Sequence, residues 1–246
     1  MKIKHRKTPR VIIGSSLVWL VTFLTVIVSF TLSFVLIFLN LKLRNKIVTS
    51  LANTFTFTSK YLCGVNYTIE GLENINKIKG PGVFVSNHQS TWETIAFTTI
   101  FPQHIYVLKR ELLKLPFFGW SLLALGAIPI DRSKGSESLN KVLSEGLDRV
   151  KRGFWIMLFP QGTRVRPDLK DSVYKTGAAK FAIGLELPMI PISHNAGYCM
   201  PKSSFFLYPG TITIRVGEPI YTNKKMDPEV LTEQIKQTIE AKVERF

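Results

Sequence analysis

Residues 11–40, VIIGSSLVWLVTFLTVIVSFTLSFVLIFLN, contain no charged side chain over 30 consecutive positions. A straight helix of that length spans roughly 45 Å at about 1.5 Å per residue, against a hydrocarbon core of about 30 Å. The run is too long for a signal-peptide apolar region, and no small-x-small cleavage site follows it. It reads as a membrane anchor. Lys2, Lys4, Arg6, Lys7 and Arg10 precede it, and Lys42, Arg44 and Lys46 follow it. Basic flanks on both sides pull both ends toward the same face of a bilayer. The expectation is a bent or re-entrant pair of helices, broken near Ser29, Thr31 and Ser33. A tilted single span is the alternative.

The anchor also explains the charge. With 32 Lys and Arg against 17 Asp and Glu, the 246-residue chain carries a formal net charge of +15. Such an excess asks for an anionic partner, either nucleic acid or an acidic lipid surface. The basic residues cluster around the anchor, which favours membrane lipids and argues against nucleic acid. Only two cysteines occur, Cys63 and Cys199, with no CxxC and no His/Cys spacing suited to a metal. They read as buried thiols, with no disulfide framework and no metal site expected.

After the anchor, residues 43–63 mix apolar and basic positions and suit an amphipathic helix at the membrane interface. Gly64 marks a boundary, dividing the chain into anchoring helices at 1–63 and a folded domain at 64–246. Within that domain short apolar runs at 67–70, 83–86, 105–108, 127–130, 155–159, 189–192 and 211–216 read as strands. Helical patterns occupy 91–101, 136–152, 176–185 and 228–246. Alternating strands and helices predict an α/β fold with a mostly parallel central sheet flanked by helices.

Four blocks carry candidate chemistry. In NHQSTWE, His88 and Glu93 lie five positions apart, about 140° around a helix, so they meet only if His88 precedes the helix. Ser90 or Thr91 would cap that helix. The pair is then either a base oriented by a carboxylate, or a loop histidine beside a favourable N-terminal charge. In LFPQGTR, a Pro/Gly turn presents Gly162, Thr163 and Arg164 after a strand, as a phosphate cradle or as an ordinary turn. In KRELLKLPFFGW, Lys109 and Arg110 adjoin an aromatic, apolar turn (Leu115, Pro116, Phe117, Phe118, Trp120), which suits either a phospholipid or a charged loop followed by a core-packing helix. GAIPIDR follows it, with Asp131 and Arg132 read as a local ion pair. In LPMIPISHNAG, the prolines at 188 and 191 suggest an edge or otherwise constrained strand, and His194 reads as structural.

Taken in order, these blocks resemble the membrane-bound glycerophospholipid acyltransferases typified by bacterial 1-acyl-sn-glycerol-3-phosphate acyltransferase, from about Gly71 to Pro219. The resemblance implies that His88 is the histidine of the family's H-x4-D motif, deprotonating an acceptor hydroxyl, with Glu93 as its carboxylate partner. It places the F-P-E-G-T-R block on residues 159–164, with Gly162, Thr163 and Arg164 binding the acceptor phosphate. Lys109 and Arg110 fall on the basic pair that precedes the apolar turn. Two positions depart from the pattern: Glu93 replaces an aspartate and Gln161 replaces a glutamate. The implied reaction moves an acyl group from acyl carrier protein or acyl-CoA to the sn-2 hydroxyl of lysophosphatidic acid, giving phosphatidic acid. It implies no cofactor beyond the thioester co-substrate, no metal and no acyl-enzyme. The implied location is a bacterial inner membrane, catalytic domain on the cytoplasmic side. Another lysophospholipid acceptor, or a silent lipid-binding membrane protein, are the alternatives.

Overall fold

In the computed structural model, residues 5–131, 135–169, 172–241 and 243 are described. The expectations placed on Lys2, Lys4 and Arg132 lie outside them. The apolar run forms one helix, α1 (Pro9–Val35). Thr8 caps it, its hydroxyl accepting the Val11 N–H at 3.3 Å, and Pro9 sits where its missing N–H costs nothing. The helix does not break at Ser29, Thr31 or Ser33. Thr31 donates back to Ile27 O, and Ser33 donates to Ser29 O and Phe30 O, so these hydroxyls are satisfied inside the helix and need no opening.

The reversal comes later, at residues 36–40, and is followed by α2 (Leu41–Ser50) and α3 (Asn53–Cys63). Asn40 caps α2 by accepting the Leu43 N–H. The single interfacial helix expected over 43–63 is thus two helices, parted at Leu51 and Ala52. Helix α3 runs back along α1: Ser15 Oγ lies 3.9 Å from Cys63 Sγ, and Thr25 Oγ1 lies 3.1 Å from Thr54 Oγ1. Gly64, at φ 74°, ends α3 in the left-handed region that glycine adopts without strain.

Seven strands follow: β1 (Val65–Glu70), β2 (Val83–Ser86), β3 (His104–Lys109), β4 (Ile128–Ile130), β5 (Trp155–Leu158), β6 (Met189–His194) and β7 (Gly210–Val216). They lie within one or two residues of the expected runs. They form one sheet in the order β1-β7-β6-β2-β5-β3-β4, parallel except for the antiparallel β6/β7 pair. The α/β fold with a mostly parallel sheet is therefore as the pattern predicts.

One strand expectation is overturned. The segment with two prolines is not at an edge: β6 lies between β7 and β2 and is buried throughout. Pro188 precedes the strand and offers only its carbonyl, to Val83 N at 2.8 Å. Pro191 stands just ahead of the antiparallel ladder to β7, which begins at Ile192, so the β6–β7 pairing does without its absent N–H.

The central strands are covered on both faces, as parallel sheets require. On one face Phe84, Trp155, Met157 and Ile190 pack with α1, α3 and α4 (Trp92–Ile100), through Val18, Phe55 and Phe97. On the other, Val83, Val85, Ile156 and Met189 pack with α6 (Gly135–Lys151), α7 (Gly177–Leu185) and α8 (Pro228–Ala241). The aromatic turn after β3 closes into a short helix, α5 (Phe118–Ala124). It meets α1, where Phe30 contacts Phe117 edge-on at 5.2 Å and Trp120 at 5.8 Å.

Candidate active site

Strand β2 delivers Asn87–Ser90 to the C-terminal end of the sheet, where ligands of such sheets collect. His88 precedes α4 and Glu93 lies in its first turn, so the two side chains converge. His88 Nδ1 lies 2.8 Å from Glu93 Oε1. The longer carboxylate does reach the imidazole, because the loop wraps around it. Glu93 is fully buried and also accepts the backbone N–H of Gln89 and of Ser90, each at 2.8 Å, and the Ser90 hydroxyl at 2.6 Å. Ser90 Oγ accepts the Trp92 N–H at 2.9 Å, completing a reciprocal cap at the start of α4.

Burial alone pushes the Glu93 carboxyl up. The imidazoles of His194 and His88 and the Ser90 hydroxyl outweigh it and bring the group down to about 2. An ionised Glu93 accepts the His88 Nδ1–H, which leaves Nε2 as the basic nitrogen. The imidazole is stacked on Phe159, with ring centroids 4.3 Å apart and planes 22° apart, so its rotation is limited from that side as well.

His194 stands behind this pair as the sequence suggested, in a structural position. It is buried, its Nε2 lies 2.9 Å from Asn87 O, and its Nδ1 accepts the Ala196 N–H. Asn87 Nδ2 donates to His194 O at 2.8 Å, and the His194 N–H donates to Asn87 Oδ1 at 3.0 Å. Burial holds the His194 ring below the ordinary imidazole range, against the pull of Glu93.

The LFPQGTR block docks directly on the NHQSTWE block. The His88 N–H donates to Gln161 Oε1 at 2.6 Å, and the His88 carbonyl accepts the Val165 N–H at 2.7 Å. Gly162, at φ 69°, makes the turn in a conformation other residues resist. The turn aims Thr163 and Arg164 at the cavity that His88 lines, while Gln161 points away from it. Arg164 makes no ion pair or hydrogen bond among the described residues. Lys109, at the end of β3, also lines the cavity, with its ammonium 3.1 Å from Glu111. Arg110 does not line it; it is exposed and opens the 3-10 turn Arg110–Lys114.

The cavity measures about 1120 Å³ and is mostly apolar. Its lining includes Trp19, Phe23 and Val26 of α1 and Phe55 of α3, with Phe117 and Leu122 around α5. A mostly apolar lining that also includes a histidine, Arg164 and Lys109 suits an amphiphile with an anionic head. Neither cysteine lines it, and burial pushes the Cys199 thiol up to about 12. Cysteine nucleophilic chemistry is therefore absent from this site. Among the described residues no three His, Cys, Asp or Glu side chains gather as a metal cage.

Sequence reasoning named His88, Glu93, Gly162, Thr163, Arg164 and Lys109, and the fold gathers them. It missed Phe159 as the stacking partner, the Ser90 hydroxyl as a Glu93 donor, and the anchor as a wall of the cavity. The S-T-W-E spelling of a capping box was a readable signal for Ser90. The other two arise from contacts between distant segments.

Residues 66–195, more than half of the chain, match the family model described as Acyltransferase. The chain belongs to the acyltransferase family. Among curated members it is 40% identical over 163 residues to a 1-acyl-sn-glycerol-3-phosphate acyltransferase of Pseudomonas aeruginosa, covering 66% of this chain and 62% of that one. It is 33% identical over 178 residues to the enzyme of the same name from Saccharomyces cerevisiae, covering 70% of this chain and 57% of that one. The matched region thus spans about three fifths of these relatives' lengths. The crystal structure of the 1-acyl-sn-glycerophosphate (LPA) acyltransferase PlsC from Thermotoga maritima superposes with a TM-score of 0.76 over 94% of each chain, at 21% identity. This acyltransferase-family chain therefore shares that fold.

Proposed function

We propose that the chain transfers an acyl group from a thioester, acyl carrier protein or acyl-CoA, to the sn-2 hydroxyl of lysophosphatidic acid, producing phosphatidic acid. The observation that carries this reading is that His88, held by Glu93 at 2.8 Å, lines the same mostly apolar cavity as Arg164. His88 Nε2 takes the hydroxyl proton while the oxygen attacks the thioester carbonyl. The C–O bond forms, the C–S bond breaks, and the proton passes to the leaving thiolate. Glu93 holds the imidazole tautomer and stabilises the imidazolium, and backbone amides or a nearby side chain stabilise the oxyanion. No acyl-enzyme is needed. Arg164 holds the acceptor phosphate, assisted by Lys109, and the acyl chains occupy the apolar cavity. The names of the two curated relatives, 1-acyl-sn-glycerol-3-phosphate acyltransferases, support the choice of acceptor.

The location proposed is a bacterial inner membrane, with the domain on its cytoplasmic face. Helix α1 is long and apolar enough to cross a bilayer. Its outer face leaves Leu20 and Leu24 exposed, similar in character to Phe38 and Trp120. Such a surface belongs in lipid rather than water.

The test is transfer of labelled acyl groups by the purified chain to lysophosphatidic acid and to lysophospholipids with other head groups. The expected result is transfer to lysophosphatidic acid, with Arg164→Ala raising its Michaelis constant about 10-fold or more. An unchanged constant removes the phosphate role, and preference for another acceptor establishes the alternative substrate. Absence of transfer to any acceptor favours the silent lipid-binding reading.

A further inference from the structure

Gln161, where the family pattern has a glutamate, sits in a directional chain of hydrogen bonds outside the cavity. Its Oε1 accepts the His88 N–H at 2.6 Å, and its Nε2 donates to Ser172 Oγ at 2.7 Å. Ser172 donates in turn to Glu240 Oε1, on α8, also at 2.7 Å. Gln161 and Ser172 are both buried. The hollow they border with Asn87, Gln89 and Glu240 is only about 20 Å³, room for no more than a water. It is not a substrate site, and these groups serve the loop they touch.

A carboxylate at 161 would accept from the His88 N–H in either orientation. An amide accepts with one end only, and turned over it would aim an N–H at an N–H. The donor-only His88 N–H favours the orientation with the oxygen toward it, and an acceptor at the far end reinforces that choice. The Glu240 carboxylate can only accept, so Ser172 directs its single proton there and keeps a lone pair for Gln161 Nε2–H. That sets the Gln161 oxygen toward His88.

We propose that Ser172 and Glu240 are positioning residues that fix the orientation of the Gln161 amide and, through it, the placement of the His88 loop. The acidic charge that the family pattern puts at 161 is in this chain applied from α8, two hydrogen bonds away. The inference rests on the acyl-transfer reading of His88. Two further ties hold the loop if the relay is lost, Val165 N–H to His88 O and Asn87 to His194. The relay therefore tunes the loop without being needed to fold it.

The test uses the purified whole chain with Glu240→Gln, Gln161→Glu and the double variant. In Glu240→Gln the acceptor-only end is gone. The turnover number for lysophosphatidic acid is expected to fall about fivefold, with the Michaelis constant and thermal midpoint near wild type. In the Gln161→Glu background the same substitution is expected to raise turnover. There the new carboxylate takes the Ser172 proton, and the amide introduced at position 240 donates to the lone pair left behind. An effect of equal sign and size in both backgrounds, or none in the wild type, overturns the relay. A second readout needs no turnover: the His88 amide proton, observed with ¹⁵N-histidine, is expected far downfield and moves upfield in Glu240→Gln. An unmoved resonance overturns the proposal even if activity changes. If the wild type acylates no acceptor, the functional reading fails while the resonance still decides the relay.

Discussion

Glu93 is one methylene longer than the aspartate of the family pattern, and residues 88–90 close around its carboxylate. Four donors converge on its carboxylate, three of them from Gln89 and Ser90. Shortening it by Glu93→Asp draws the oxygens back from His88 Nδ1 by roughly a bond length, beyond hydrogen-bond reach. Turnover is expected to fall by about 10-fold or more, with folding retained and the acceptor's Michaelis constant little changed. A variant as fast as wild type would show that the imidazole needs no carboxylate at 2.8 Å. The same group makes a stability prediction. Its carboxyl is depressed from an ordinary 4.5 to about 2, so the stabilisation is complete above about 4.5 and is lost as pH falls toward 2. Glu93→Gln should therefore cost a few kcal/mol near neutrality, and the gap to wild type should narrow in that acid window. Denaturant midpoints at a near-neutral pH and at one inside that window measure this, and a constant gap contradicts it.

At the scale of elements, the long apolar helix α1 also helps to build the site. Gly14 lets α1 approach α3 closely: a Cβ there would lie 2.8 Å from Leu62 O and 3.1 Å from Cys63 Sγ. Gly14→Leu is expected to push α1 away, lower stability by roughly 1–3 kcal/mol and impair transfer, since Trp19 and Phe23 line the cavity. Thermal unfolding in detergent beside an activity assay measures both, and a variant unaffected in either would detach α1 from the site. The strands were legible because a parallel sheet buried on both faces spells continuous apolar runs, as VFV and WIML do. The path of residues 36–63 was not. Hydroxyls in α1 that read as a break are satisfied by carbonyls one turn back, and nothing local marks where α2 gives way to α3. The place of β6 was hidden for a related reason. Proline statistics favour edges, but tertiary pairing can arrange for an absent N–H to fall where no partner waits.

At the scale of the whole molecule, the sheet ends, the anchor and the charge serve one arrangement. Two loops from neighbouring strands, after β2 and β5, carry the base and the cation. Helix α1 contributes to the wall of the apolar cavity that both loops line. His88 and Arg164 were legible because motif order fixes which strand ends they occupy. The cavity's size and its shared wall were not, since they follow from how α1 packs on the domain. The proposed function makes His88 the group that takes the acceptor proton. The direct test is acyl transfer to lysophosphatidic acid by the wild type and by a folded His88→Ala variant under identical conditions. A loss of ~10²–10⁴-fold or more in turnover is the predicted result. A folded variant that transfers at the wild-type rate would contradict the account.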